Sequence, residues 1–534
     1  MKKYLNKIPQ FFSNRGLNSS NSINDFISPS KDWINNPFLF KSMDKAVDMI
    51  LSNSKNKPIF IHGDCDADGV SACSLLYVFF KKIGFNVFYY IPNRSKEGHA
   101  ISIKAIDHAV SIGSEIMVTC DIGMSSNQEI EYAKENNLKT IITDHHKVLD
   151  IIPDADIIIN PWLEENSKLF FRDYSGSGVA FKLCHAINEK LKLDFTHLDE
   201  LIELVSIGIV SDKVSLINEN RYLTLHGFNM TLKGLNPGIA FLKKRIPYFD
   251  IHKMIRVINM TTKLTNSSLS VKLLTTKNPT QINNYTNDIL NSFNKNKSIL
   301  NQAISSSIRQ VYSQDYKNNN AIFIDGDFDS GYNGAIANIL SNKFYVPAIV
   351  VSSMDKNIYK GSSRSIRGVS ILPFLESQKH ILNSLGGHPM AAGFIIDKIN
   401  INKIKDSFFK YMKVQDKVFL KDKDGDEIID GVLPLIDISN DLILFLKKFM
   451  PYGTKNREPV FIAKDVKLAG KPDIIGKNKD SIKFKVEEKG KIFNAVGFGL
   501  INEFENLITK NKFNVRYSII YNRDSFLLNV LGVS

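Results

Sequence analysis

Short apolar runs alternate with amphipathic stretches through the first part of the chain. Pro58-Ile59-Phe60-Ile61, Ile116-Met117-Val118-Thr119-Cys120 and Thr140-Ile141-Ile142-Thr143 read as strands, and helical spacing fills the intervals from Val70 to Ile83 and from Asn127 to Asn136. Strand, helix, strand, helix predicts a parallel sheet with crossover connections. Helical periodicity then runs from about Asp250 to Gln314, and its later part predicts a long connecting helix. A second α/β unit starts at Ala321-Ile322-Phe323-Ile324-Asp325, continues through Val346 to Val351 and extends to roughly Lys413. The stretch Lys417 to Glu427, rich in Lys and Asp, reads as a solvated loop between domains. From Ile428 onward the pattern shortens: Ser481 to Val486, Ile492 to Phe498, Arg516 to Tyr521 and Phe526 to Val530 are short alternating strands separated by Gly, Asn and Asp. Such strands predict a small barrel. The expected fold class is therefore α/β, with two α/β domains joined by a long helix plus a C-terminal small β-barrel, divided at 1–249, 250–314, 315–416 and 428–534.

The apolar runs share a second property: they end in acid. Asp64, Asp66 and Asp68 follow Ile61-His62-Gly63, and alternate residues of an extended or turned segment project to one side while Gly69 permits the turn into the next helix. Asp121 follows the second run, Asp144-His145-His146 the third, and Asp212 closes Leu204 to Ser211. In parallel sheets, sites form at the carboxyl edge. Taken singly, the acidic turn reads equally well as a solvated cap and the His pair as core or surface. Delivered together at three strand ends, they read as a metal centre. Carboxylates with imidazole and no thiolate cluster suit Mn²⁺ or Mg²⁺, although imidazole leaves iron and zinc open. Further along, the glycines of Gly386-Gly387-His388-Pro389-Met390-Ala391-Ala392-Gly393 would let backbone amides approach a phosphate beside an imidazole, and Arg364 could hold an anion bidentately.

This set of motifs resembles the DHH phosphoesterase superfamily and, within it, the RecJ family of single-strand-specific 5′ to 3′ exonucleases. The likeness runs almost end to end and includes Pro37 to Lys41, Pro92-Asn93-Arg94, Asn160-Pro161, Gly176 to Phe181, Asn220-Arg221 and Gly361 to Ile366. It implies that the first unit is a parallel-sheet DHH domain, the second a DHH-associated domain and the barrel an OB-like nucleic-acid-binding domain. Asp66, Asp68, Asp121, His145 and Asp212 are the implied ligands of two Mn²⁺ or Mg²⁺ ions per active site, with Asp64 and His146 as catalytic residues and His62 lining the same site. Arg94, Asn259, Ser362, Arg364, Gly387, His388, Tyr452 and Gly453 are the implied substrate contacts. Arg94, Ser362 and Arg364 would take the 5′-terminal phosphate. The implied activity is two-metal hydrolysis of single-stranded DNA to 5′-mononucleotides in repair and recombination, with a single-strand-binding protein and a helicase as partners. Phe493, Phe498 and Tyr517 are candidates for base stacking.

Departures from the family pattern fall in substrate-handling segments. Where the family reads Pro-Arg-(Leu/Ile)-Asn-Ala-Ala-Gly-Arg, this chain reads Arg256-Val257-Ile258-Asn259-Met260-Thr261-Thr262-Lys263. Trp-His-x-Gly becomes Phe328-Asp329-Ser330-Gly331, which places an acid where a phosphate donor is expected; Gly-Asn-Pro becomes Lys455-Asn456-Arg457. Altered DNA affinity or end preference is expected. Two rival functions remain: a DHH phosphodiesterase of short oligonucleotides, and an inactive DNA-binding scaffold. Against the scaffold stands the complete ligand set, since clustered carboxylates are costly to keep without cations.

A formal charge of +13 over 534 residues favours a polyanionic partner, although a Lys, Asn and Ile bias of the whole chain inflates it. Cys65, Cys73, Cys120 and Cys184 lack metal-binding spacing and read as buried thiols of a reducing compartment. No run approaches the roughly 18 apolar residues of a membrane span. Met1-Lys2-Lys3-Tyr4-Leu5-Asn6-Lys7 lacks a signal-peptide core, so a cytoplasmic protein, monomeric by default, is expected.

Overall fold

The computed structural model describes residues 2–93, 97–98, 100–148, 151–164, 171–247, 249–264, 268–366, 368–414, 428–476, 479, 481–501, 511–521 and 525–534. The expected loop Lys417 to Glu427 lies outside the described residues.

Five parallel strands, β1 (Ile59–Gly63), β2 (Val87–Tyr90), β3 (Ile116–Cys120), β4 (Lys139–Thr143) and β5 (Ile157–Ile159), form the first sheet in the order β2-β1-β3-β4-β5. Both faces are covered. Ile59, Ile61, Val118 and Ile141 share a core with helices Ala67–Lys82, Gly176–Lys190 and Thr196–Ser211, whereas Phe60, Met117 and Ile142 pack with Ile103–Ser111 and Asn127–Glu135. Burial on two sides explains why these runs are apolar at consecutive positions. The strand order reverses between β1 and β3, which opens a crevice at their carboxyl ends.

The first helix of this sheet begins at Ala67, earlier than Val70, because Asp66 caps it: Oδ1 accepts from the amides of Asp68 at 3.0 Å and Gly69 at 3.3 Å. Of the extended and turned alternatives the turned one holds: Asp66 is the cap and Asp68 a first-turn residue. Beyond the sheet, helices Pro237–Arg245, Ile251–Leu264 and Leu269–Thr275 lead to a 34-residue helix, Pro279–Tyr312, started by the Asn278 side chain. At 1.5 Å per residue it spans about 51 Å.

The second sheet is mixed. β6 (Ile322–Gly326) and β7 (Ala348–Ser353) are parallel, while β8 (Ile358–Arg364), β10 (Ala391–Asp397) and β9 (Leu382–His388) continue it antiparallel in the order β6-β7-β8-β10-β9. The third sheet contains β11 (Phe461–Leu468), β12 (Asp473–Ile475), β13 (Ser481–Glu488), β14 (Lys491–Gly497), β15 (Phe513–Tyr521) and β16 (Phe526–Val533); pairing of β11 with both β15 and β13 closes it into a barrel.

The N-terminal segment, grouped by sequence with the first sheet, packs instead into the barrel's core. Phe11, Phe12, Ile23 and Phe26 join Leu446, Phe449 and Val515. Phe11 and Phe449 meet edge-on at 4.9 Å, and Arg15 pairs with the buried Asp430 at 2.9 Å. The helices Pro9–Ser13 and Ser20–Ile27 are too short to build a core of their own, so their apolar faces are covered by the helix Asn440–Lys447 and its neighbours. Phe493 and Tyr517 are core residues of the barrel, the Tyr517 hydroxyl donating to the Leu433 carbonyl at 2.8 Å; of the three stacking candidates only Phe498 is exposed. Among the described residues no helix is long and apolar enough to cross a membrane.

Candidate metal centre and phosphate-binding face

Three overlapping groups of donors meet at the carboxyl edge of the first sheet: Asp64, Asp66 and Asp121; Asp121, His145 and His146; and Asp68, His145 and Asp212, the donor atoms of each group lying within 4.8 Å of one another. His145 is the hub. Its Nε2 stands 3.1 Å from Asp121 Oδ1 and 4.0 Å from Asp68 Oδ2, and its Nδ1 lies 3.7 Å from Asp212 Oδ2. Asp121 adopts a left-handed backbone, φ 63°, immediately after β3, which turns its carboxylate into the crevice.

The electrostatics call for cations. Burial, reinforced by Asp68 and Asp66, pushes the Asp121 carboxyl far above the usual carboxylate range. Burial also raises Asp68, against the opposing pull of His145, and lifts Asp212 to about 7. Asp121 Oδ1 and His145 Nε2 are buried and, among the described residues, make no hydrogen bond. Hard oxygen donors with imidazole, several buried and two, His146 and Asp212, open to solvent, fit Mn²⁺ or Mg²⁺, which neutralise such clusters and keep open positions.

The surrounding residues hold this constellation in place. The Asp68 carboxylate receives the amides of Gly176 at 2.7 Å and Ser177 at 2.9 Å, at the positive end of helix Gly176–Lys190. A methyl at Gly176 would collide with the Asp121 carboxylate, and one at Gly208 with Asp68 Oδ1 and Ser177 Oγ, so both helices approach only because these positions are glycine. Asp144, absent from the expected ligand and catalytic sets, is a positioning residue. Its Oδ1 accepts from the His145 amide at 2.7 Å, the His146 amide at 3.1 Å and His146 Nδ1 at 2.8 Å, while Oδ2 accepts from the Met124 amide at 3.0 Å. Burial works against the His146 imidazolium, but the hydrogen bond and charge of Asp144 win and raise it to about 9. The Asp-His-His string was the available signal, since an acid directly before a His pair is placed to bond the ring and amides behind it.

Two expected site residues do other work. His62 lines the back of β1, where Nε2 accepts from the Ser102 amide at 3.0 Å and burial lowers the ring to about 4; it belongs to none of the three donor groups. Asn259, expected to touch substrate, accepts the Ala67 amide on Oδ1 at 2.8 Å and so helps start the helix that carries Asp68.

On the second sheet, register places Arg364, Ala391 and His388 in one row and Ser362, Gly393 and Gly386 in the next row of the same face. Small residues on the central strand leave the flanking Ser362, Arg364 and His388 standing over a low floor. Arg364 Nη1 donates to the Ser363 carbonyl at 2.7 Å, which fixes the guanidinium along the strand. Gly387 lies in the intervening row with Ser363 and Ala392; with φ 148° and no room for a methyl against Ala392, it serves strand approach, and Gly386 is the glycine on the Arg364 face. Asp329 accepts the Gly331 amide at 2.7 Å and caps the turn Ser330–Tyr332. Val257 is buried in the first domain's core. Arg94 lies outside the described residues.

Tyr452 and Gly453 are engaged within the protein. The Tyr452 hydroxyl donates to the Leu446 carbonyl at 2.8 Å, and the Gly453 amide to the Asn456 carbonyl at 2.8 Å.

Three family profiles match in sequence order: the DHH family, N-terminal domain, over residues 58–209; the DHHA1 domain over 318–414; and the RecJ OB domain over 429–523. The chain is 28% identical over 516 residues to the single-stranded-DNA-specific exonuclease RecJ of Bacillus subtilis (strain 168), covering 94% of this chain and 64% of that protein's length. It is 26% identical over 483 residues to the RecJ of Escherichia coli (strain K12), covering 85% and 82%. In fold it is similar to the crystal structure of RecJ in complex with Mn²⁺ from Thermus thermophilus, with a TM-score of 0.80 at 20% identity, over 98% of this chain and 74% of that one. A crystal structure of exonuclease RecJ bound to manganese superposes with a TM-score of 0.62 at 24% identity, over 71% and 98%.

Proposed function

We propose, from the premise that the chain belongs to the RecJ family of the DHH phosphoesterase superfamily, that it hydrolyses single-stranded DNA from the 5′ end and releases 5′-mononucleotides. The observation that carries this reading is the convergence of three donor groups on Asp121 and His145 at the crevice edge. Asp66, Asp68, Asp121, His145 and Asp212 would hold two Mn²⁺ or Mg²⁺ ions, with Asp64 beside them. Such ions, when bound, activate water and neutralise charge on the phosphate.

The chain's own residues supply orientation and protons. Asp144 holds His146 by Nδ1 and, in the metal-free protein, raises the ring to about 9, so a protonated Nε2 would donate to the scissile phosphate or to the departing 3′ oxygen. The water oxygen bonds to phosphorus, the bond to the 3′ oxygen breaks, and that oxygen takes a proton. Ser362, Arg364 and His388 would receive a terminal phosphate on the second sheet, and Arg364 sets the direction of entry. The proposed units are a DHH domain to 249, a connecting region 250–314, a DHH-associated domain 315–416 and an OB-like domain 428–534, to which residues 4–27 are added. Four buried free thiols suit the reducing cytoplasm, where a helicase and a single-strand-binding protein would present the strand.

A single-stranded oligonucleotide of about 30 nucleotides, labelled at either end and incubated with Mn²⁺ or Mg²⁺, tests this reading beside the Asp66→Ala protein and a blunt duplex. Mononucleotides should leave the 5′ end, the variant should be inert and the duplex should survive. A long strand that is bound but never cut, with trinucleotides hydrolysed, would make the chain a short-oligonucleotide phosphodiesterase. Binding without hydrolysis of either would make it a scaffold.

A further inference from the structure

The carboxylates of the metal centre are not equally anchored. Asp68 is gripped by two backbone amides and Asp66 accepts two more. Among the described residues no hydrogen bond holds the Asp212 carboxylate, whose side chain is 36% exposed and whose Oδ2 lies 3.7 Å from His145 Nδ1. Its position depends on the backbone that carries it. Asp212 ends helix Thr196–Ser211, and Lys213 turns away with φ 57°.

That turn is clamped from two sides. Within the first domain, Asp173 Oδ2 accepts the Ser215 amide at 2.8 Å, and Asn220 Nδ2 donates to the carbonyls of Asp173 and Ser215. From the barrel domain, Thr454 Oγ1 donates to the Lys213 carbonyl at 2.6 Å, and the Thr454 carbonyl accepts the Leu216 amide at 2.9 Å. Gly453 lies so close that a methyl there would stand 2.8 Å from Leu216 Cδ1. The buried Arg221 ties the same barrel turn down, donating to the carbonyls of Pro451 and Lys448 and, at 3.1 Å, to that of Phe26.

We propose that Thr454, on the barrel domain, is a positioning residue for the metal centre. Its hydroxyl and carbonyl fix the Lys213–Leu216 turn, and through it the Asp212 carboxylate, so docking of the barrel sets how tightly the cation near Asp212 is held. The inference rests on Asp212 as a metal ligand. It assigns the Pro451-Tyr452-Gly453-Thr454 turn to the metal rather than to DNA.

Mn²⁺ binding to the full chain, read by electron paramagnetic resonance without DNA, tests it in wild type, Thr454→Val, Thr454→Ser and Gly453→Ala. Thr454→Val deletes one hydrogen bond without changing shape; the weaker of the bound ions should lose about 3- to 5-fold in affinity, below the roughly 10-fold or more seen when a group bonded directly to a ligand is removed. Thr454→Ser should restore it, and Gly453→Ala should weaken it by pushing on Leu216. In digestion assays kcat should fall while KM for single-stranded DNA holds. Valine and alanine variants that bind Mn²⁺ like wild type overturn the proposal, as does a raised KM with unchanged Mn²⁺ affinity, the signature of a DNA contact. If the valine variant fails to fold, slow hydrogen exchange of the Leu216 amide in the wild type supports the clamp and rapid exchange refutes it. A wild type that binds no Mn²⁺ would instead remove the metal assignment itself.

Discussion

Replacing Asp144 by Asn keeps the shape of the side chain and removes its charge, which isolates what the carboxylate does for the two histidines. The carboxylate accepts four hydrogen bonds, three on Oδ1 and one on Oδ2. An amide can present its oxygen to only one side. With oxygen toward His145 and His146, its NH₂ faces the Met124 amide, donor against donor, in a fully buried site; that mismatch costs about 1–3 kcal/mol. The loss of charge acts on His146, whose imidazole should fall from about 9 toward its ordinary 6.5. The ring is 58% exposed, so solvent screening makes the measured drop smaller than that full interval. Because Asp144 orients a group in the site without belonging to a donor triad, cleavage should slow by about 10- to 100-fold with KM for DNA nearly unchanged. Three measurements on the Asp144→Asn protein check this: the melting temperature, the His146 titration by NMR in the metal-free state, and single-turnover digestion. An imidazole still titrating near 9, or wild-type cleavage, would refute the assignment of Asp144 as the residue that holds His146.

Gly208→Ala should force Asp68 away from the Ser177 amide, destabilise the protein by about 1–3 kcal/mol and weaken Mn²⁺ binding; calorimetry and a metal titration read both, and a variant with native affinity contradicts the packing argument. Mn²⁺ affinity should fall as pH drops below about 7, because Asp212 is protonated there in the metal-free state and binding must displace that proton, giving roughly tenfold per pH unit for each proton displaced; a pH-independent titration between 8 and 6 would exclude it. Glu203 is buried, and burial raises its carboxyl from 4.5 to about 7. Folding then favours the protonated form, so stability is lost as pH rises from 4.5 through 7, by up to about 3 kcal/mol, and Glu203→Gln should raise the melting temperature at pH 8 and leave it unchanged near pH 4. Asn259→Ala should slow cleavage by loosening the start of helix Ala67–Lys82, and Asn259→Asp, which keeps the oxygen that accepts the Ala67 amide, should recover much of the loss. If Asn259 contacts DNA through its NH₂ group, the aspartate variant will be no better than alanine.

How much of this was legible before folding depends on how far each residue's partner lies along the chain. Strand ends were legible because a sheet buried on both faces leaves consecutive apolar residues, and an acid that terminates such a run has nowhere to point but the carboxyl edge. Asp66, Asp68, Asp121 and His145 stood out on that ground, whereas Asp212, which ends helix Thr196–Ser211, stood out on family likeness. The Arg364 and His388 rows follow from strand alternation once β8, β10 and β9 are paired, but the same alternation exchanges Gly387 for Gly386, a register detail that sequence does not print. Other roles were hidden because they are set by partners far away in sequence. Asn259 reads as a helical residue with a spare amide, and only the packing of helix Ile251–Leu264 beside the metal loop makes it a cap. Phe11, Phe12 and Phe26 read as the front of the first domain, yet short helices take whichever apolar surface is nearest, here the barrel's, more than 400 residues later. The turn at Tyr452 and Gly453 shows the consequence. Family likeness names its tyrosine and glycine as substrate contacts, and in the structure the adjoining Thr454 is hydrogen-bonded to the turn that follows Asp212. Barrel and N-terminal helices thus meet at Arg221, and barrel and the turn after Asp212 meet at Thr454; on the clamp proposed above, a substitution in the barrel that leaves every donor of the metal centre untouched is felt at that centre.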